Sequence, residues 1–404
     1  MITGYPGDVV RSLRPGQRVY FQGGPGECAA FHAALLAYPG LSNGVELWSC
    51  LIPGINTRDY GALPSTAQLV TFMASPALES SIASGRTRLM AMPYSEIADL
   101  MARTEFDVAV LHVAPPDSAG RCSFGLACDM PGLVWQSAGR RVAFVNDRMP
   151  ALPHADFIPA DRIDLAVPIS EPLLAPESSS GAANAALGEI VRLCTELIPD
   201  GATIQSGIGE APGAVIAGLK LHRGLRVHSG IITPEYIQLA EAGALDPAAE
   251  HVAGVAWGDA SFHAWLPRSG FAFRSAKVTH DHATLAALTG FVSIGSAIEV
   301  DLAGNLNLEW RRGRRVSSVG GAPDFMRAAR ASVGGLSIIA MPATAGGASR
   351  IVPRLASPSI PGEMVDTVVT EFGVARLKGL SSEARAEAIT AVAAPQHRGF
   401  LARG

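Results

Sequence analysis

Short runs of β-branched and apolar residues, each closed by a glycine-rich turn and followed by a stretch with helical spacing, recur along this chain and restrict its fold more than any other feature. In the first half a strand is expected over 16–22, ending in Gly23-Gly24-Pro25-Gly26, with a helix over 27–37 behind it. Strands are expected again over 45–52, over 106–113 (FDVAVLHV) and over 141–146 (RVAFVN), with a helix around 97–101 and a loop over 114–120. Runs this continuously apolar read as strands buried on both faces, hence a parallel sheet covered by helices. The rhythm restarts with a helix over 187–197, a strand over 202–205, a turn over 207–212 and a helix over 213–219. Further strands are expected over 225–228, 291–294, 337–341 and 366–370. The last helix, over 382–392, has Ser381 or Ser382 as its cap and Glu383 in its first turn.

A chain of 404 residues is long for one core, so two domains are expected. The segment 168–186 (PISEPLLAPESSSGAANAA) has the composition of a linker, which puts the domains at 1–180 and 181–404 as two variants of one α/β theme. With 48% apolar and 17% charged residues the chain can fill large cores, and its 43 glycines and 28 prolines suit many tight strand-to-helix turns. Net charge is −4, and the densest basic cluster, Arg311, Arg312, Arg314 and Arg315, reads as a solvated hairpin turn rather than a nucleic-acid patch. The five cysteines form no CxxC and no zinc-like spacing with histidine, so no metal site is expected. Their odd number, the lack of a secretory-type N-terminal stretch and the absence of a membrane-length apolar run point to a reducing cytoplasm.

Three glycine-rich turns carry the candidate chemistry. Gly207-Ile208-Gly209-Glu210-Ala211-Pro212 follows a strand and opens a helix, where free N–H groups favour negative charge. A plain tight turn with no ligand is the competing reading, and the spacing is a poor dinucleotide fingerprint. Ser318-Val319-Gly320-Gly321 precedes a helical run, and Thr344-Ala345-Gly346-Gly347-Ala348-Ser349 follows a strand. Turns that converge at the carboxyl edge of an open α/β sheet are where such sheets bind ligands.

Six ordered blocks then resemble one family. They are DVAVLHVAPPDSAGRCSFG (107–125), VNDRMP (145–150), DGATIQSGIGEAPGAV (200–215), EVDLAGNLNLE (299–309), SVGGAPDF (318–325) and VTEFGVARLKG (369–379). Each is similar to a block of the acetyl-CoA hydrolase/transferase group of class I CoA transferases, especially its 4-hydroxybutyrate CoA-transferase branch. The resemblance implies the CoA-transferase fold, two similar open α/β domains of NagB/RpiA-like type with the active site in the interdomain cleft. It implies coenzyme A or an acyl-CoA as substrate, no tightly bound cofactor, a carboxylic acid acceptor for transfer, no nucleic-acid or membrane partner, and a homodimer or higher homo-oligomer. In the reaction it implies, a glutamate attacks the thioester and a glutamyl-CoA thioester carries CoA onward. Oxyanion donors would be the N–H groups of Ala211 and Gly321. Gly207, Gly209, Gly320, Gly346, Gly347, Ser349 and Arg350 would line the CoA site, and Asn307 matches an asparagine near the reacting carbonyl. Glu299, Asp301 and Glu371 are read as structural, and Asp117 as a turn residue.

The chain departs from the family where the nucleophile belongs. The family block is of the type HSEMISDG, and here it reads His228-Ser229-Gly230-Ile231-Ile232-Thr233-Pro234-Glu235. Gly230 stands at the glutamate position and has no side chain to attack with; its small size is expected to open space for a bulkier substrate. Glu210, beside the presumed oxyanion donor, and Glu235 are the candidate replacements, each with a solvated surface role as the alternative. His228 is a candidate acid or base, or a packing residue at a strand end. Three functions stay open: CoA transfer with a relocated carboxylate, hydrolysis, decarboxylation or C–C bond chemistry on a CoA ester without a covalent step, and a CoA-ester-binding pseudoenzyme.

Overall fold

In the computed structural model, which describes residues 2–176 and 185–402, the chain packs as two compact units. One holds Met1–Pro176 with Val252–Thr279 and Arg315–Ser318; the other holds Glu177–His251, His280–Arg314 and Val319–Gly404. The first unit thus takes in Val252–Thr279, a segment far along the chain from the rest of it. Backbone pairing explains this: Val252–Ala256 and Ala272–Phe273 pair in parallel, Ala256 N–H donates to Leu126 O at 2.8 Å and Cys128 N–H to Gly254 O at 3.0 Å. Of the expected linker, Leu165–Ile169 is already a strand, and residues 177–184 lie outside the described residues.

The first unit is built on eight strands: β1 (Ile2–Thr3), β2 (Arg18–Phe21), β3 (Glu46–Trp48), β4 (Gln68–Thr71), β5 (Thr87–Leu89), β6 (Val108–Val113), β7 (Arg140–Asn146) and β8 (Leu165–Ile169). Their order is β1-β8-β7-β6-β2-β3-β4-β5, and every pair is parallel. All six residues of β6 are buried, as a strand covered on both faces requires. Phe21, Phe31, Tyr60 and Phe144 centre the core on one side.

Buried polar clusters sit in this unit. Glu27 accepts from Asn56 Nδ2 at 2.7 Å and Tyr60 OH at 3.0 Å, with Arg58 Nη1 at 3.1 Å. Tyr94 OH donates to Asp129 Oδ2, and Cys50 Sγ approaches Tyr94 OH at 3.7 Å. Burial pushes the Asp129 carboxyl up to about 6, against the pull of the Tyr94 hydroxyl. All five cysteines are buried free thiols; burial raises Cys28 and Cys194 to about 12 and Cys122 to about 11, and Cys50 and Cys128 are raised too.

The second unit contains β9 (Thr203–Ser206), β10 (Arg226–Ile232), β11 (Phe291–Gly295), β12 (Leu336–Ala340), β13 (Thr367–Thr370) and β14 (Gly373–Arg376). They lie in the order β10-β9-β11-β12-β13-β14. The first five run parallel and β14 closes the edge antiparallel. The chain moves one way from β9 to β10 and the other way from β11 onward, so the order reverses between β9 and β11. Ligands of open α/β sheets bind outside the carboxyl ends of the strands at such a reversal. Among the described residues no helix is long and apolar enough to cross a membrane.

Two local differences matter for the site. Helix α1 spans Ala185–Leu197, but α2 begins at Glu210 and runs to Gly218, earlier than expected. Pro212 does not delay it, because a proline in the first turn has no intrahelical N–H bond to lose. Strand β10 continues through Gly230 to Ile232, where the sequence had suggested that it stops at His228.

Candidate active site in the second unit

The loop after β9 stands at the strand-order reversal. Gly207 N–H donates to Ile294 O of β11 at 2.8 Å, which ties the loop to the neighbouring strand. Gly209 takes φ 141°, a conformation that side chains disfavour, and turns the chain directly into α2. Glu210 is exposed and Ala211 is buried. Their N–H groups are first-turn donors with no acceptor inside the helix, at the positive end of its dipole.

Beside this loop lies β10. Ser229 Oγ donates to Ile231 O at 2.6 Å and lies 3.5 Å from Ser206 O, so Gly230 and Gly207 each follow a residue of this neighbouring pair. Gly230 is half-buried. A Cβ added to it would lie 2.8 Å from His280 Cε1, 3.0 Å from His280 Nε2 and 3.4 Å from Phe325 Cζ. A Cβ added to Gly321 would lie 2.6 Å from His280 Nε2, 2.9 Å from His280 Cδ2 and 2.9 Å from Phe325 Cε2. One imidazole edge thus fills the space beside both glycines. The sequence reading gave the space at Gly230 to a bulkier substrate; the rings of His280 and Phe325 occupy it instead.

His280 is buried and its ring lies 4.6 Å from that of Phe325, centroid to centroid. Phe325 belongs to helix α3 (Ala322–Ala331), which Gly321 caps, and it packs in a cluster with Leu285, Phe291, Ala328 and Ala329. Gly320 holds φ 55° in the turn before the cap. Burial, reinforced by the nearby imidazole of His228, lowers His280 to about 3, so its ring is neutral at physiological pH. His228 is itself buried on β10. The structure therefore brings Gly230, Gly321, His228 and His280 together, and sequence reading missed His280. The signal available was indirect: a half-buried glycine on a strand leaves a volume that some distant side chain must fill.

The remaining candidates have contacts of their own. Asn307 Nδ2 donates to Glu299 Oε2 at 2.8 Å and Trp310 O at 2.7 Å, while its Oδ1 accepts from the N–H groups of Glu309 at 3.1 Å and Trp310 at 2.8 Å. These bonds make it the lock of its own loop. Gly346 and Gly347, at φ 56° and 81°, form the exposed turn between the paired strands Thr344–Ala345 and Ala348–Ser349. Ser349 Oγ donates to Ile351 O at 2.7 Å, and Arg350 donates from Nε to Ile298 O at 3.0 Å and from Nη2 to Ala297 O. The Glu235 carboxyl packs on α2, with Oε1 3.2 Å from the Cβ position of Gly213. Asp301 accepts from the N–H groups of Ala303 at 3.0 Å and Asn305 at 2.9 Å, and Glu371 from that of Ala343 at 2.8 Å. Asp117 holds its turn through Ala119 N–H and Arg121 N–H, both at 2.9 Å. Arg312 and Gly313, at φ 51° and 73°, have the left-handed pair of a tight hairpin turn in an exposed stretch. No group of three or more His, Cys, Asp or Glu among the described residues is arranged to hold a metal ion.

Residues 258–404 match the model of the acetyl-CoA hydrolase/transferase C-terminal domain. The chain is 34% identical over 336 residues to the 4-hydroxybutyrate coenzyme A transferase of Clostridium kluyveri, covering 80% of this chain and 78% of that protein. It superimposes on RipA from Yersinia pestis with a TM-score of 0.91 and 27% identity, covering 100% of this chain and 96% of that one. The 4-hydroxybutyrate CoA-transferase of Porphyromonas gingivalis gives a TM-score of 0.81 at 27% identity, with the same coverage. With this degree of likeness over most of its length, the chain belongs to the acetyl-CoA hydrolase/transferase family.

Proposed function

We propose that this chain acts on acyl-CoA thioesters and does so without a covalent glutamyl-CoA intermediate. The observation that carries the reading is the packing of the neutral His280 ring against Gly230, the position where resemblance to the family calls for a nucleophilic carboxylate. The first-turn N–H groups of α2 beside that position support retention of an oxyanion site. Such donors stabilise the tetrahedral adduct of hydrolysis, and they stabilise equally the enolate of a decarboxylation or a C–C bond cleavage next to the thioester. CoA would be the leaving group in the first case and would stay on the product in the others.

Transfer to a carboxylate through Glu210 is the second reading, favoured by one feature: Glu210 is exposed on the turn it shares with Ala211. Both readings are tested by incubating the protein with a panel of acyl-CoAs, with and without acetate, and following products and intact protein by mass spectrometry. Products without a CoA-sized gain on the protein are expected. A gain that disappears in Glu210→Ala would establish the relocated nucleophile. No binding of CoA or of any acyl-CoA at millimolar concentration would refute the acyl-CoA reading.

A further inference from the structure

We propose that His280 sets the reaction type of this chain: seated on Gly230 and Gly321, it keeps any carboxylate out of the reacting position and so bars group transfer through an enzyme-bound CoA ester. The proposal rests on the acyl-CoA reading above and adds the residue responsible for it. A first side-chain carbon at position 230 would come within 2.8 Å of His280 Cε1, closer than non-bonded packing allows, and a carboxyl group needs more room still. The ring has little freedom to yield. It also covers Gly321, where only the absence of a side chain leaves it room: an added Cβ there would lie 2.6 and 2.9 Å from the ring. Phe325 lies against the ring and is itself anchored in the cluster around Phe291. Gly230, Gly321 and His280 therefore form a matched set, in which two glycines make the seat and one imidazole takes it. A lone change of Gly230 back to an acid meets the ring, and removing the ring alone supplies no nucleophile.

The excluded step can be restored only by changing both residues. A carboxylate introduced by Gly230→Glu, with His280→Gly beside it, would attack the thioester carbonyl, forming an acyl–glutamyl anhydride and releasing CoA thiolate. The thiolate would then attack the glutamyl carbonyl, giving the protein-bound CoA thioester and the free acid as its carboxylate. One carboxylate is consumed and one released, so no proton donor or oxidant is needed.

The test compares wild type, Gly230→Glu, His280→Gly and the double variant, each incubated with acetyl-CoA or butyryl-CoA. Intact-protein mass spectrometry and hydroxylamine lability read the adduct, and calorimetric titration with CoA reads binding. Only the double variant is expected to gain a CoA-sized, hydroxylamine-labile mass. A well-folded Gly230→Glu protein that carries the adduct with His280 in place would overturn the proposal. So would a double variant that folds and binds CoA but forms no adduct. A wild type that binds no CoA overturns the acyl-CoA reading and this proposal together, which separates the two failures. If the glutamate variants do not fold, Gly230→Ala serves instead. Its shift in urea midpoint should shrink by at least half in the His280→Gly background, and equal shifts in both backgrounds would overturn the proposal.

Discussion

The buried carboxyl of Asp129 makes stability depend on pH in a direction opposite to that of a salt-bridged acid. Its ordinary value of 3.8 is raised to about 6 in the folded chain, because burial outweighs the hydrogen bond from Tyr94. Below about pH 4 the group is protonated in both the folded and the unfolded chain, and the stabilising contribution is fully present. Between pH 4 and 6 the unfolded chain ionises while the folded chain keeps its proton, so stability falls as pH rises. Above pH 6 both states are ionised and the loss is complete. The difference between 3.8 and about 6 corresponds to roughly 3 kcal/mol. Asp129→Asn keeps an acceptor for Tyr94 and removes the titration. The assay is urea denaturation from pH 4 to 7.5, followed by tryptophan fluorescence. Trp48, Trp135, Trp257 and Trp265 all lie in the unit that contains Asp129, so the signal reports on the right part of the molecule. The stability difference between wild type and variant should change by about 3 kcal/mol across that window and then level off. A difference that stays constant would mean that Tyr94 holds the carboxylate ionised inside the fold, and the argument from burial would fail.

Tyr60→Phe removes one of the donors to the buried Glu27 carboxylate and should cost about 1–3 kcal/mol, while Arg58→Ala removes its charge partner and should cost at least as much; urea midpoints check both. Asn307→Ala should free the loop before the arginine-rich turn, seen as faster tryptic cleavage at Arg311 and Arg312 in the native protein. Ser381 caps the helix Ser382–Ala391 by accepting from Ala384 N–H, so Ser381→Ala should cost about 1 kcal/mol and raise amide exchange in the first turn of that helix ahead of the rest of the second unit.

The parts of the fold that could be read in the sequence are those with local causes. Strand β6 announces itself because six consecutive residues need burial on both faces, and the Gly207–Gly209 turn because a reversal into a helix needs glycine. Strand β10 runs on through Gly230 to Ile232, and a glycine, which has no side chain to pack, gives the sequence no signal of that continuation. The placement of Val252–Thr279 with the first unit has no local signature, since its partners, around Leu126 and Asp156, are far away in sequence. The same applies to His280. Nothing in Val278-Thr279-His280-Asp281 marks it as a neighbour of Gly230, and only the packing of distant segments reveals which side chain fills the vacancy a glycine leaves.

The buried thiols carry a consequence for handling. The thiolate is the form that exchanges with disulfides and reacts with alkylating agents, and burial both hides these sulfurs and holds their protons. A member of a family named for CoA transfer and acetyl-CoA hydrolysis meets a small thiol, and in air the disulfide of that thiol. None of Cys28, Cys50, Cys122, Cys128 and Cys194 offers an accessible sulfur for that disulfide to cap. The folded protein should therefore tolerate oxidised CoA and storage without reductant, and its thiols should become titratable only as the units unfold.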